Sequence, residues 1–411
     1  MIKHVSVAVA GLLSFMAVSR ADESYHWIQY VPGGLEARAI SHNAACPVAK
    51  LDGKVVDMAV RSRPGDAYPI FVCSVAVPGD VKSVSISDVP LAMPVAEPKR
   101  ILLIGDTGCR LKGKVAQACN DIAAWPFRIG SDIGAELKPD LVIHVGDFHY
   151  REAGCPIDAK GCAGTPFGDN WDVWRADFFS PAEPLLNAAP WIFVRGNHEE
   201  CDRGGKGWSR TLDPYTFEDA TGCLGLGKPF TVDIGAAQVY VMDVSTADEA
   251  KANEKQVAYY KEQFEATSKL PDKPIWMAFH RPIWSAVEVS NGEVEGDNKT
   301  LALAAKDSLS KNVQAILSGH QHTFSVLTYD ADLPIQIVSG HGGDNLDVTA
   351  PRNPIGMKIN GLTVTGGIGV PGVFGFSMLE RGENGWSITD YDIHGAKLAK
   401  CALIGRKANC N

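Results

Sequence analysis

Three apolar runs, at residues 101–104, 141–145 and 191–194, run straight into polar motifs built on a glycine followed by Asp or Asn: Gly105-Asp106-Thr107-Gly108, Gly146-Asp147-Phe148-His149-Tyr150 and, one residue on, Gly196-Asn197-His198-Glu199. Apolarity that is continuous rather than alternating is the pattern of a strand buried on both faces, as in the parallel sheet of a layered α/β fold. Two more polar motifs, Phe279-His280 and Gly319-His320-Gln321-His322, close the strand patterns at 274–280 and 313–318, and amphipathic helix patterns at 254–267 and 299–311 precede them. In such folds the loops at the carboxyl ends of the strands gather into one crevice. The five motifs are therefore predicted to meet.

What they would bring together is a set of hard oxygen donors and imidazoles suited to metal cations. Two cations about 3.5 to 4 Å apart supply what phosphate-ester hydrolysis needs, a nucleophile at moderate pH and a positive clamp on the developing charge. In order and composition the motifs resemble those of the purple acid phosphatases within the calcineurin-like metallophosphoesterases, from about Arg100 to the end of the sequence. The resemblance implies a four-layer α-β-β-α sandwich in which Asp147 bridges two metals. Asp106, Tyr150 and His322 would complete the first site, and Asn197, His280 and His320 the second. It implies attack of metal-bound hydroxide on phosphate monoesters of small compounds, with His198 as general acid.

Gly108 stands where the wider superfamily carries the histidine of Asp-x-His, and in the resemblance Tyr150 takes over its role. A phenolate is a hard anionic donor that favours Fe(III), and its charge transfer to iron gives the family its colour. Two imidazoles, an amide oxygen and a carboxylate suit Zn(II), Fe(II) or Mn(II) at the second site. The two ions outweigh the anions of Asp106, Asp147 and Tyr150 by two charges, so phosphate would be attracted. The same site serves phosphodiesterases and nucleotide pyrophosphatases, and a non-catalytic exported binding protein is the alternative from another class.

Around these positions, Glu199 is a candidate to orient His198, His144 reads as core, His149 as a residue of the cleft mouth and His341 as a substrate-side histidine. Plant members of the family carry a further histidine soon after the one matched by His280. This chain has Arg281-Pro282-Ile283-Trp284 there, which leaves Arg281 or Arg110 as candidates for phosphate binding.

The chain opens with a basic start and an apolar stretch at 5–18, shorter than the ~18 to 20 residues of a spanning helix, and reads as a signal peptide over 1–21. Its removal takes Lys3 and Arg20 and no acid, so the formal charge of −9 becomes −11. An acidic surface without a Lys/Arg cluster argues against nucleic acid and anionic membranes as partners. Small phosphorylated substrates, no membrane anchor after cleavage, and a secreted or periplasmic location are the expectation. Ten cysteines in an exported chain suggest disulfides. Consecutive pairing would close five modest loops, Cys46–Cys73, Cys109–Cys119, Cys155–Cys162, Cys201–Cys223 and Cys401–Cys410, with other connectivities open. Residues 22–95 show short β-rich runs and are predicted to form a small β-sandwich domain. Pro90, Pro94 and Pro98 mark the passage to a catalytic domain over 96–411. The Gly- and Pro-rich stretch 340–372 is predicted to be a loop beside the cleft, and Asn298-Lys299-Thr300 is a glycosylation sequon.

Overall fold

The computed structural model describes residues 24–288, 294–383 and 385–411; the signal peptide predicted at 1–21 lies outside them. The three apolar runs become neighbouring parallel strands, Arg100–Ile104, Leu141–His144 and Trp191–Phe193, in register Leu141↔Ile101 and Val142↔Trp191. Their side chains alternate between two cores. Ile101, Leu103, Leu141, Ile143 and Ile192 face a second sheet, while Leu102, Ile104, Val142, Trp191 and Phe193 pack with Phe127, Phe178 and Leu185 from helices on the other side. Both faces are dry, which explains the unbroken apolar runs.

The second sheet has eight strands and a parallel centre of Gln238–Val241, Ile275–Ala278, Val313–Ser318 and Ile335–Ser339. Val239, Val241, Trp276, Ala278, Ala315 and Leu317 point into the core shared by the two sheets. Tyr240, Ile275, Met277 and Ile316 point outward to Tyr260, Phe264 and Leu301 of the helices Glu254–Ala266 and Lys299–Ala305. The layers therefore run helix, sheet, sheet, helix. A large-to-small change between the sheets would cost about 2–5 kcal/mol.

The N-terminal β-region shares its sheet with the rest of the chain. Tyr25–Val31 pairs in parallel with Trp191–Phe193 at Gln29↔Trp191, and Gly34–Ser41, Phe71–Val77 and Ala59–Ser62 continue the first sheet to eleven strands. A four-stranded sheet that includes Val48–Leu51 and Val84–Ile86 packs over this extension, around Ile28, Ala39, Ala49, Cys73 and Ile86. Trp191–Phe193 would otherwise present an open edge, and the N-terminal strands cover it.

Two elements depart from expectation. The helix predicted over 299–311 ends at Ala305, and Asp307 turns the chain with φ +59°. The stretch 340–372 is not all loop, because Lys358–Ile359 and Leu362–Val370 form strands, the latter antiparallel to Phe324–Tyr329. The strand was concealed by its glycines. At Gly367, with φ +139°, a Cβ would meet the Val326 carbonyl oxygen at 2.0 Å, so a residue that reads as a loop signal is here a requirement of close strand approach.

All five consecutive disulfides form. Cys109–Cys119, Cys155–Cys162 and Cys201–Cys223 each pin a segment just beyond one of the polar motifs. Asn298 is 2% exposed and caps a helix, its Oδ1 accepting from the Leu301 N–H at 2.9 Å, so the sequon is closed to a glycan in the folded chain. Among the described residues, no helix is long and apolar enough to cross a membrane.

Candidate metal centre

All five motifs lie at the carboxyl ends of their strands and meet at one edge of the two sheets. Asp106, Asp147 and His320 adopt φ of +56°, +60° and +70°, a left-handed conformation that costs a non-glycine residue about 1 to 3 kcal/mol. Hydrogen bonds hold it. The Asp106 N–H donates to the Gly146 carbonyl at 2.9 Å, the Asp147 N–H to Glu199 Oε2 at 3.0 Å and the His320 N–H to Asp106 Oδ2 at 2.9 Å.

The seven side chains singled out in the sequence converge as two groups. Tyr150 Oη lies 2.9 Å from Asp106 Oδ1, 2.9 Å from Asp147 Oδ2 and 3.2 Å from His322 Nε2. His280 Nε2 lies 3.0 Å from the same Asp147 Oδ2, 3.1 Å from Asn197 Oδ1 and 3.2 Å from His320 Nδ1. One carboxylate oxygen thus belongs to both groups. Asp147, His280 and His320 offer donor atoms within 4.8 Å of one another.

The outer nitrogens of the three imidazoles are committed. His280 Nδ1 donates to the Val145 carbonyl at 2.8 Å, His322 Nδ1 to the Asn345 carbonyl at 2.6 Å, and His320 Nε2 pairs with Glu249 Oε1 at 2.6 Å. A proton fixed on the outer nitrogen leaves the inner lone pair turned toward the crevice, the orientation a metal ligand needs.

Gly108 and Tyr150 are sterically linked. A Cβ on residue 108 would stand 2.6 Å from the Phe148 carbonyl oxygen and 2.9 Å from Tyr150 Cδ2, so the tyrosine ring takes the space that a side chain at 108 would need. The missing histidine of the first motif and the tyrosine of the second are two sides of one packing choice. Gly108→Ala should destabilise the fold by about 1–3 kcal/mol, the usual cost of overpacking, and should displace Tyr150. A melting temperature equal to that of the wild type would contradict this.

His198 sits where the two groups join. Its N–H donates to Asp147 Oδ1 at 2.8 Å, its ring lies 3.8 Å from the Tyr150 ring, and its Nε2 is 3.9 Å from Asp147 Oδ2. Nδ1 donates to the His149 carbonyl at 3.1 Å and lies 2.8 Å from Glu152 Oε1, an oxygen that Arg203 Nε reaches at 2.6 Å. Glu152, not Glu199, is therefore the acid beside His198, and it orients the ring together with the His149 carbonyl. Glu199 accepts from the N–H groups of Asp147, Phe148, His149 and Gly196 at 2.8–3.1 Å, which ties the second motif to the third. Nothing in the stretch Arg151-Glu152-Ala153 marks Glu152 as special, since only folding brings it to a histidine 46 positions away.

The remaining candidates fall into place. His144 is core, stacked on Phe148 with its Nε2 3.0 Å from Thr107 Oγ1. His149 is buried, its Nε2 donating to the Gly168 carbonyl at 3.1 Å, and it borders a side pocket of about 300 Å³ rather than the metal crevice itself. His341 is fully buried 3.1 Å from Asp390 Oδ1, so it faces the core and not a substrate. Arg281 is taken by Glu249 at 2.7 Å and the Ser245 carbonyl at 3.0 Å, and Arg110 forks onto Asp344. Neither is a free cation waiting for phosphate.

The profile of the calcineurin-like phosphoesterase family matches residues 99–324, more than half of the sequence. The chain belongs to the calcineurin-like phosphoesterases. No curated protein sequence matches it. Among solved structures, a purple acid phosphatase from yellow lupin (Lupinus luteus) seeds superposes with a TM-score of 0.59 at 12% identity, covering 92% of this chain and 73% of that one. PhoD superposes with a TM-score of 0.57 at 9% identity, covering 94% and 91%. At these identities the likeness is one of fold. Family membership makes the protein a metal-dependent hydrolase of phosphoric esters.

The donor set of this phosphoesterase fits cations. Asp106, Asp147 and the Tyr150 hydroxyl crowd within 2.9 Å contacts while inward imidazole nitrogens face them. Burial and the charges of Asp106 and Asp147 push the phenol well above its ordinary value, so the anionic cluster calls for positive charge. In the metal-free protein, protons on two histidines supply it. Burial alone would lower His280, but the Asp147 carboxylate lifts it to about 9; burial likewise opposes and Asp344 and Asp106 lift His322 to about 10. Both folded values exceed the ordinary 6.5, so the stability these groups contribute is full below pH 6.5 and is lost as pH rises through 9 to 10. EDTA-treated phosphoesterase should therefore melt at progressively lower temperature between pH 6.5 and 10. The metal-loaded form should hold its melting temperature over the same range. A metal-free melting temperature that stays flat would refute the assignment of these protons.

Proposed function

We propose that this chain is an exported phosphatase of the purple acid phosphatase type, acting on phosphate monoesters of small compounds. The supporting observation is Tyr150, whose hydroxyl lies between Asp106, Asp147 and His322 while Gly108 leaves room for its ring. In this reading Asp106, Asp147, Tyr150 and His322 hold Fe(III). Asp147, Asn197, His280 and His320 hold Zn(II), Fe(II) or Mn(II). Two such cations would acidify water and clamp the developing phosphoryl charge.

The chain's own residues do the rest. His198 Nε2, on the Asp147 side of the ring, can give a proton to the leaving oxygen, with the His149 carbonyl and Glu152 holding the opposite nitrogen so that the ring keeps its orientation. Burial pulls this imidazole down to about 4 against the pull of Asp147 and Glu152 in the other direction, so its acid form belongs to acidic solution. Activity should peak at mildly acidic pH. Export is supported by the signal-like start of the sequence and by five disulfides.

Tyr150→Phe tests the reading. The iron-loaded wild type should show a broad visible band from phenolate charge transfer. The variant should lose that band while Asp106, Asp147 and His322 retain some metal. A colourless wild type, fully active with two divalent ions at alkaline pH, would leave an ordinary phosphoesterase site with Tyr150 as packing. Turnover of p-nitrophenyl phosphate should exceed that of bis(p-nitrophenyl) phosphate, and the reverse order would make the protein a diesterase.

A further inference from the structure

Asp344 is absent from the motif set, yet it is fully buried at the crevice. Its Oδ2 lies 3.4 Å from His322 Nε2, the atom that also approaches Tyr150 Oη at 3.2 Å and Asp106 Oδ1 at 3.5 Å. The position is built. The Asp344 N–H donates to the Asp106 carbonyl at 2.9 Å and the Asn345 N–H to Asp344 Oδ1 at 2.7 Å, while the Asn345 carbonyl holds the His322 Nδ1 proton. One dipeptide thus fixes the tautomer of His322 and brings a carboxylate to its free nitrogen. Without a metal, the proton on His322 Nε2 accounts for this approach; a cation that replaces that proton at Nε2 meets Asp344 Oδ2 at the same point.

Resting on the reading of the first site given above, we propose that Asp344 is a further carboxylate donor to its metal ion. Arg110 forks onto Asp344, with Nε at 3.0 and 2.9 Å from the two oxygens and Nη2 also in contact with Oδ2, and lies 4.9 Å above the Tyr150 ring. It partly offsets the added anion and orients it. A first site with Asp106, Asp147, Tyr150 and Asp344 is richer in anionic oxygen than the motifs alone provide, which selects a trivalent over a divalent ion.

The experiment compares Asp344→Asn with Arg110→Gln in iron-loaded protein. Loss of an anionic donor makes Fe(III) a stronger electron acceptor, so Asp344→Asn should move the charge-transfer band to longer wavelength and release iron at roughly 10- to 100-fold lower chelator. Arg110→Gln keeps the carboxylate and, although it removes the cation 4.9 Å above the Tyr150 ring, should shift the band less and hold iron at the wild-type chelator concentration. If both variants keep the wild-type band, or both shift it alike, Asp344 is only the counterion of Arg110 and the proposal fails. If the wild type takes up no iron, the iron reading fails separately. The same pair is then compared as Co(II) protein, whose visible absorption intensifies as donors are lost: a change confined to Asp344→Asn supports the donor role, and equal spectra overturn it. Circular dichroism matching the wild type confirms that each variant is folded.

Discussion

Asp147→Asn is expected to empty both metal positions and to lower turnover by about 10³-fold or more, the scale of losing several kcal/mol of charge stabilisation. Among the described residues, Asp147 Oδ2 is the side-chain oxygen that the two groups share, at 2.9 Å from Tyr150 Oη and 3.0 Å from His280 Nε2. Asparagine is the useful replacement, because residue 147 has φ +60° and asparagine tolerates that conformation, whereas alanine would add backbone strain. His280→Ala should act on one position only, removing the second metal and sparing the first. Metal-to-protein ratios decide between these outcomes, and two metals retained in Asp147→Asn would disprove the bridge.

The second large effect belongs to His198. His198→Ala should keep the metal content and lower turnover by about 10² to 10⁴, the usual worth of one general acid. The loss should be small for esters of good leaving groups, which depart without a proton, and large for alkyl esters. The alkaline limb of the pH–rate profile should also disappear, since the protonated imidazole is lost as pH rises. A uniform loss across a leaving-group series would show that His198 supports structure or binding instead.

Legibility from sequence was uneven, for physical reasons. Ile101 to Ile104 reads as a buried strand because both faces of that strand meet a core, and the burial pattern repeats in Leu141–His144 and Trp191–Phe193. Leu362–Val370 was hidden because its glycines serve close strand packing while carrying the same letters as a loop. The helix from Lys299 is shorter than its sequence pattern suggests, because an apolar period continues past the residue at which the backbone turns. The N-terminal β-region announced its strands, but not that they would extend the catalytic sheet through Gln29 and Trp191.

The candidate site divides along the same line. Asp106, Asp147, Tyr150, Asn197, His280, His320 and His322 could be named in advance because each sits in a short motif at a strand end, where local sequence dictates both the strand and its polar cap. Glu152, Glu199, Asp344 and His341 could not be placed in that way. Their roles depend on which loop folds against which, so that Glu152 reaches His198, Glu199 clamps two motifs, Asp344 meets His322 and His341 turns inward to Asp390. Strand periodicity is a local property of the chain and survives in the sequence. A contact between two loops is set by the packing of whole sheets, and that is decided only when the chain folds.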